Sequence, residues 1–354
     1  MKNNHVLHHV VMQTAFLGDL ILSIPLLKQI KRKYPNDRLV LVCKAGLGEY
    51  FLNEKIVDLV FEIKKNDRTS YQNMITKINL LKVDNLFCIH RSLRSQLTCW
   101  KINAKNKIGF QSKIGFFIFN KLVQFQNAWP EALRQLFILS ETDSEVKNTL
   151  ALKEWSYLNK PTHDGVLPPL PGSSIFNTNA IVKKQSSKKI AIFPGSVWAT
   201  KQWTENGFVF VANSFINLGY EVFLMGGPSE LQLCLAIQKL CAGSQVLAGE
   251  KSISQSIEFI KTCDLVIAND SAPTHMAAFQ NIPVISIFGP TTLEMGFRPW
   301  SSNAIIIENN DLDCRPCGKH GHQRCPLGHH KCMKDIEASR VLKAGITLLS
   351  ASQT

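Results

Sequence analysis

The 354-residue sequence contains no uninterrupted apolar run of the roughly 18 residues that a membrane-spanning helix requires. Its most apolar stretch, residues 10–27, is interrupted by Gln13, Gly18 and Asp19 and lacks the small-residue cleavage site of a secretory signal peptide. Ten cysteines are too few for a disulfide scaffold of this length. From these absences we expect a cytoplasmic protein.

Acidic residues are also scarce, with 27 Asp and Glu against 40 Lys and Arg, which leaves a net charge of +13. Hydrophobic residues make up 45% of the chain and charged residues 19%, which excludes a disordered, collagen-like or coiled-coil chain. A basic surplus of this size favours an anionic partner, either nucleic acid, a membrane surface or an acidic substrate. The alternative is that the charge serves solubility alone.

Short runs of Val, Ile and Leu alternate with longer amphipathic stretches in both halves of the chain, which predicts βαβ units around parallel sheets. Residues 166–188 are rich in Pro, Gly, Ser and Asn and lack a sustained period, so we interpret them as a linker between domains 1–165 and 189–354. The predicted strands are 6–12, 38–43, 59–63, 85–89, 189–193, 220–225, 264–268 and 283–288, and the predicted helices of the first half include 20–33 and 128–139. Ligands of such sheets bind where the strands end, so we expect a cleft between the two domains.

One polar motif follows the first predicted strand. Gly18 suits a tight turn from strand to helix, and Asp19 then lies at or near a helix N-cap, where backbone N–H groups keep its carboxylate ionised. Asp19 is therefore a candidate functional residue at the cleft, although a plain helix cap explains the same pattern.

Two further motifs follow strands of the second half. Ser196, Thr200 and Lys201 come after strand 189–193, and together with backbone N–H groups they are suited to hold a diphosphate. The Gly226-Gly227 turn allows close approach of a ligand, and Glu230 can bind ribose hydroxyls or, alternatively, complement a helix dipole. Neither a P-loop nor a Gly-x-Gly-x-x-Gly fingerprint follows a predicted strand.

A third polar group follows strand 264–268, and its five polar residues within seven positions exceed what helix capping needs. They are Asn269, Asp270, Ser271, Thr274 and His275.

Near the end of the chain, four cysteines alternate with histidines at spacings that can hold a tetrahedral structural zinc. The cysteines are Cys314, Cys317, Cys325 and Cys332. A reduced, locally packed loop is the alternative. The neighbouring Asp311-Leu-Asp313 matches a short metal motif of sugar transferases, but a three-residue match is expected by chance.

Together these motifs resemble glycosyltransferase family 9, the ADP-heptose:lipopolysaccharide heptosyltransferases. The likeness rests on Gly18-Asp19, on Pro194-Gly-Ser196 with Thr200-Lys201-x-Trp203, on Gly226-Gly-Pro-x-Glu230 and on Asn269-Asp-Ser271 with His275. The cysteine-rich stretch 314–333 is similar to the tail of the heptosyltransferase II branch of that family.

This resemblance implies the GT-B fold, an α/β architecture of two Rossmann-like domains whose parallel sheets face a central cleft. It implies inverting, metal-independent transfer of heptose from ADP-heptose, with no cofactor, to an anionic lipid A–Kdo or inner-core glycolipid at the inner membrane. Asp19 would be the general base, and Lys201 would stabilise the departing ADP. The remaining donor-binding residues would be Ser196, Thr200, Gly226, Gly227, Glu230, Asn269, Asp270, Ser271 and His275.

Three alternatives stay open at this point. The chain could be another family 9 transferase with a different acceptor, or a nucleotide-sugar epimerase of the GT-B type. A basic nucleic-acid-binding protein with a zinc module is the third, although the basic residues are dispersed rather than clustered on one face, so we expect no nucleic-acid partner.

Overall fold

The computed structural model of the protein describes residues 6–151, 153–172 and 188–351. These residues divide into two compact units, one containing the described residues up to Trp155 and the other residues 156–171 together with 188–351. Each unit is built around its own six-stranded parallel sheet.

The first unit has the strand order β3-β2-β1-β4-β5-β6, and every pair in it is parallel. Its strands are β1 His8–Met12, β2 Arg38–Lys44, β3 Leu59–Ile63, β4 Val83–Cys88, β5 Asn106–Phe110 and β6 Lys121–Val123. Its helices are α1 Leu17–Ile21, α2 Ile24–Lys33, α3 Glu49–Asn53, α4 Arg68–Asn79, α5 Leu93–Trp100, α6 Gly115–Ile118, α7 Glu131–Leu136 and α8 Ser144–Ala151.

The second unit repeats this plan with the strand order β12-β11-β10-β7-β8-β9. Its strands are β7 Lys189–Phe193, β8 Glu221–Leu224, β9 Ser244–Val246, β10 Leu265–Asn269, β11 Val284–Phe288 and β12 Ala304–Glu308. Its helices are α9 Glu205–Asn217, α10 Leu231–Lys239, α11 Ile253–Lys261, α12 Ala272–Phe279, α13 Lys331–Lys334 and α14 Ala338–Ala351, with short 3-10 helices at Ala199–Lys201, Pro228–Glu230 and Leu293–Met295.

The central strands explain why the sequence forms parallel sheets. All five residues of β10 and all five of β11 are buried, as expected for strands covered by helices on both faces. The predicted α/β architecture is confirmed, and all eight predicted strands are present. Four strands were missed, namely β5, β6, β9 and β12.

Two predicted helices differ from the structure. The single helix expected at 20–33 is divided between α1 and α2, because Pro25 cannot donate a helical hydrogen bond and Ser23 Oγ donates to Leu20 O at 2.5 Å. The helix expected at 128–139 begins only at Glu131, since Pro130 precedes it, and it continues as the 3-10 helix Phe137–Glu141.

Residues 156–171 pack onto the second unit, whereas we expected residues up to 165 in the first. The buried Arg298 donates to Leu158 O and, at 3.0 Å, to Pro168 O. Gly165 lies so close to Ile306 that a Cβ atom there would stand 1.9 Å from its carbonyl oxygen. Of the linker expected at 166–188, residues 173–187 lie outside the described part of the chain.

Within the described ranges, no helix combines the length and the apolar character that crossing a membrane requires.

Candidate active site

The second unit brings a lysine and an aspartate into contact at the carboxyl edge of its sheet. Lys201 ends a 3-10 helix after β7, and Asp270 directly follows β10. Because β7 and β10 are paired neighbours, the segments after them lie side by side. Lys201 Nζ stands 2.5 Å from Asp270 Oδ2, and Thr291 Oγ1 donates to the same oxygen at 2.6 Å.

This ion pair is largely removed from water, with the side chains of Lys201 and Asp270 13% and 6% exposed. A buried pair offsets its desolvation only with further hydrogen bonds, and Thr291 supplies one of them. Lys201 also donates to the main-chain oxygen of Asp270 at 3.4 Å. In the part of the chain that is described, Asp270 Oδ1 has no hydrogen-bond partner, so one carboxylate oxygen remains for a polar ligand.

Asn269 holds the loop that carries Lys201. Its Oδ1 accepts the Trp203 N–H at 3.0 Å, and its Nδ2 donates to Pro194 O at 2.8 Å and Gly195 O at 3.3 Å. The side chain is fully buried, so its amide serves internal bonds rather than an exposed ligand surface. Ser196, in the same loop, is half-buried and its Oγ accepts the Trp198 N–H at 3.4 Å.

Thr200 joins the Lys201 turn to the cysteine-rich segment. Thr200 Oγ1 donates to His322 O at 2.7 Å and accepts the His322 N–H at 2.7 Å, while His330 Nε2 donates to Thr200 O at 2.8 Å. The Thr200 side chain is buried, so its hydroxyl is already engaged within the protein.

The glycine turn after β8 is packed tightly around one side chain. A Cβ atom at Gly195 would stand 2.2 Å from Glu230 Cγ, and one at Gly226 would stand 2.7 Å from Glu230 Cβ. Glu230 Oε2 accepts the Gly227 N–H at 2.7 Å and so caps the 3-10 helix Pro228–Glu230. A larger residue at position 195 or 226 would clash with the Glu230 side chain, so the packing of Glu230 requires both glycines independently of any ligand.

The start of α12 places two more candidates beside Asp270. Ser271 is its N-cap, but the Ser271 hydroxyl donates to Asn269 O at 3.2 Å instead of capping the helix. His275 is buried, and burial lowers its pKa to about 4, so its imidazole is neutral. Its buried Nδ1 has no hydrogen-bond partner in the described structure. A buried polar atom without a partner costs free energy, so a ligand that forms a hydrogen bond with Nδ1 removes that cost.

In the first unit, Asp19 lies in the first turn of α1, three residues after the N-cap Phe16. The side chain is half-buried, and Gln135 Nε2 donates to the Asp19 main-chain oxygen at 3.1 Å. The charge of Asp19 acts to raise the pKa of both Lys65 and Arg134, against the desolvation that lowers them. The carboxylate therefore lies near two cations at the carboxyl edge of the first sheet.

A match to a protein-family model identifies the family of the chain that carries these two sites. The model of glycosyltransferase family 9 (heptosyltransferase) matches residues 77–327, which is well over half of the chain. The chain belongs to glycosyltransferase family 9. It is therefore a glycosyltransferase, as the resemblance predicted, rather than a nucleotide-sugar epimerase.

Relatives of this family 9 enzyme match along almost its whole length. Lipooligosaccharide heptosyltransferase 2 of Campylobacter jejuni is 28% identical over 339 residues, covering 93% of this chain and 95% of that protein. The crystal structure of a family 9 glycosyltransferase from Veillonella parvula has a TM-score of 0.76 at 21% identity and covers 99% of both chains. The structure of E. coli ADP-heptose lps heptosyltransferase II has a TM-score of 0.69 at 20% identity, and the match covers 99% of this chain and 100% of that one. These structures confirm the predicted GT-B fold.

The four cysteines of the predicted zinc site line one small cavity of about 20 Å³ in the second unit, beside Thr200 and His330. Burial opposes ionisation of Cys325, yet four backbone N–H groups, from Leu327 to His330, lower the pKa of its thiol. Burial raises the pKa of Cys332 to about 11. As the side chains stand, no three His, Cys, Asp or Glu residues in the described ranges are arranged to hold a metal ion. The thiol donors suit zinc chemically, but they are not pre-assembled around it.

The structure also shows polar residues near Asp19 that sequence reasoning missed. Glu131 Oε2 lies 3.2 Å from Arg134 Nε, and burial raises the pKa of Glu131. A basic groove of about 750 Å³ lies between α4 and α5, with Lys65, Arg68 and Arg94 in its lining. No short motif marks these residues: Glu131 and Arg134 lie one turn apart on α7, and only the folded unit brings them near Asp19.

Proposed function

We propose that this family 9 enzyme transfers a heptose from ADP-heptose to the inner core of lipopolysaccharide, with inversion at the anomeric carbon and without a metal. The relatives named as heptosyltransferases 2 support the sugar and the acceptor class. The observation that carries the proposal is the buried contact between Lys201 and Asp270, because it combines a cation for a diphosphate with a carboxylate for sugar hydroxyls.

In this proposal the leaving group is stabilised by the second unit. As the bond between the anomeric carbon and the diphosphate breaks, negative charge grows on the phosphate oxygens. Two hydrogens of the Lys201 ammonium are directed at Asp270, which leaves the third for a phosphate oxygen. A cation held in a low-dielectric site before the reaction costs little reorganisation, and so it favours the transition state.

The donor's sugar and nucleotide would use the groups that the fold leaves unpaired. Asp270 Oδ1 would accept a heptose hydroxyl, and His275 Nδ1 would take a hydrogen from the donor or from a bound water. Glu230 uses Oε2 for the turn, so Oε1 would accept from the ribose. The backbone N–H group of Gly226 would lie near the nucleotide, while Gly227 keeps its N–H on Glu230. The hydroxyl of Thr200 would contribute by holding the Lys201 turn, because its bonds to His322 occupy it.

The acceptor would be activated by Asp19. The attacking hydroxyl gives its proton to the Asp19 carboxylate while its oxygen forms the new bond to the anomeric carbon, and ADP leaves with the bonding electrons of the broken bond. Lys65 and Arg134 lie close enough for their charges to interact with Asp19. Opposite charges favour the ionised carboxylate, which is the form that a general base needs.

An anionic glycolipid acceptor agrees with the surface of the first unit. The groove between α4 and α5 is lined by Lys65, Arg68, Arg94 and Lys101. Trp100 and Phe117, exposed by 61% and 87%, are apolar residues of the kind that anchor proteins at a membrane interface. We therefore propose peripheral contact with the cytoplasmic face of the inner membrane, driven by basic residues and a few exposed aromatics.

Calorimetric titration with ADP, UDP and GDP, followed by a transfer assay with ADP-heptose, tests this function. We expect tight ADP binding, weak UDP binding and acceptor-dependent release of ADP. Preference for UDP would overturn the proposed donor. Transfer from ADP-heptose to a glycolipid other than the inner core would support the second candidate, a family 9 transferase with a different acceptor.

A further inference from the structure

A cluster of hydroxyl groups surrounds one histidine at the carboxyl edge of the first sheet. His90 follows β4 and Thr14 follows β1, and these strands are paired neighbours. Thr14 Oγ1 lies 2.7 Å from His90 Nδ1, and Ser95 Oγ lies 3.0 Å from the same nitrogen. Thr14 and Ser95 are buried, whereas His90 is half-buried.

The hydrogen bonds of this cluster have a direction. Ser92 caps α5 by accepting the Ser95 N–H at 3.2 Å, and Ser92 Oγ donates to Ser95 Oγ at 3.0 Å. Ser95 must then donate onward, either to Thr14 Oγ1 at 3.0 Å or to His90 Nδ1. If Nδ1 carried a hydrogen, Thr14 and Ser95 could donate only to each other, and one of the two hydroxyls would have no acceptor. The hydroxyls therefore donate toward Nδ1, and the ring hydrogen lies on Nε2.

The environment also fixes the charge of His90. Burial, and secondarily the positive charge of Lys65, lower its pKa to about 4. The imidazole is therefore neutral at physiological pH and adds no positive charge beside Asp19.

The second ring nitrogen is available to a ligand. Nε2 has no hydrogen-bond partner in the described ranges, and it is not among the fully buried unpaired atoms. Lys65 links His90 to Asp19, since its charge acts on His90 and the charge of Asp19 acts on it. The oriented N–H donor thus belongs to the same polar edge as Asp19.

We propose that His90 binds the sugar acceptor, donating its Nε2–H to an acceptor oxygen next to the attacking hydroxyl, while Thr14, Ser95 and Ser92 hold the ring in the tautomer that makes this possible. This inference rests on the proposed function, in which the acceptor binds beside Asp19. A neutral donor of fixed direction positions an oxygen-rich ligand without adding charge next to the general base.

Two substitutions of His90 separate this role from a purely structural one. In His90→Asn the amide occupies the place of Nδ1 and can still accept from Thr14, whereas in His90→Gln the amide reaches the place of Nε2 and can still donate to a ligand. We expect Asn to raise the acceptor KM roughly tenfold, the worth of one lost hydrogen bond, and Gln to raise it much less. The donor KM and the calorimetric affinity for ADP should stay unchanged in both variants. His163→Asn, at an exposed position of the second unit, is the matched control.

The outcomes separate the failure of this inference from that of the proposed function. If the wild-type enzyme transfers heptose from ADP-heptose and His90→Asn keeps a normal acceptor KM, His90 only supports the fold. If Gln is the weaker variant, or if acceptor and donor KM rise together, the Nε2 contact is wrong. An absence of transfer by the wild-type enzyme would instead overturn the proposed function. Nitrogen-15 NMR of the full chain gives a readout independent of activity, and a hydrogen on Nδ1 of His90 would also overturn the inference.

Discussion

Replacing Lys201 with methionine tests two roles of the ion pair with Asp270, namely its contribution to the free energy of unfolding and the stabilisation of the departing ADP. Methionine keeps most of the side-chain length but leaves the buried Asp270 carboxylate with Thr291 as its remaining side-chain donor. Removing one partner of a buried pair costs about 3–5 kcal/mol, and the 13% exposure of Lys201 together with the Thr291 bond favours the lower end, about 3 kcal/mol. Loss of the cation at the leaving group should also lower kcat by roughly 10²–10³.

The double variant Lys201→Met, Asp270→Asn removes the unpaired charge as well. We expect it to recover most of the lost free energy of unfolding while turnover stays low, and Asp270→Asn alone completes the cycle. Lys261→Met is the matched control, because its pair with Glu258 is exposed by 32% and 57% and should contribute under about 1 kcal/mol. Denaturant unfolding and single-turnover transfer are the assays. A Lys201→Met enzyme that keeps wild-type stability, or turnover within tenfold of wild type, would show that Lys201 does not have these two roles.

Asp19→Asn should lower turnover by roughly 10²–10⁴ and leave the calorimetric affinity for ADP unchanged, because it removes the base but no donor contact; near-normal turnover would remove Asp19 from the mechanism. Activity should survive EDTA, and loss of activity with EDTA that Mg²⁺ restores would contradict a metal-independent reaction. Replacing both Asp311 and Asp313 with Asn should leave turnover unchanged, because both side chains are exposed and neither is proposed to bind a metal. Elemental analysis of the purified protein tests whether the four cysteines bind zinc. If zinc is present in stoichiometric amount, replacing Cys314 and Cys317 with Ser should lower thermal stability more than turnover, as expected for a structural site. If zinc is absent, the cysteines belong to a reduced, locally packed loop.

The strands that could be predicted are those with continuous apolar runs. β10 and β11 are buried on both faces, so every residue in them contributes to the pattern. β9 has only three residues, and β5 begins with the polar Asn106-Lys107, so neither produces a recognisable period. β12 is an apolar run isolated between polar loops, and only its pairing with β11 identifies it as a strand.

The candidate site could be located from its sequence motifs, but the task of each residue could not be assigned. Lys201 and Asp270 are distant in sequence, and their contact depends on β7 and β10 being neighbours. Asn269 and Thr200 look like ligand-binding residues in the sequence, yet their side chains make internal hydrogen bonds. His90 belongs to no motif, and its hydroxyl partners come from the loop after β1 and from the first turn of α5, so only the folded sheet edge brings them together.

The proposed transfer can be tested by mass spectrometry and proton NMR of the acceptor after incubation with purified enzyme, ADP-heptose and EDTA. We expect the mass of an inner-core glycolipid to increase by one heptose, with one ADP released for each heptose transferred, and the NMR spectrum of the product to show an inverted anomeric configuration. An unmodified acceptor alongside ADP-heptose that binds normally, or a product with retained configuration, would contradict it.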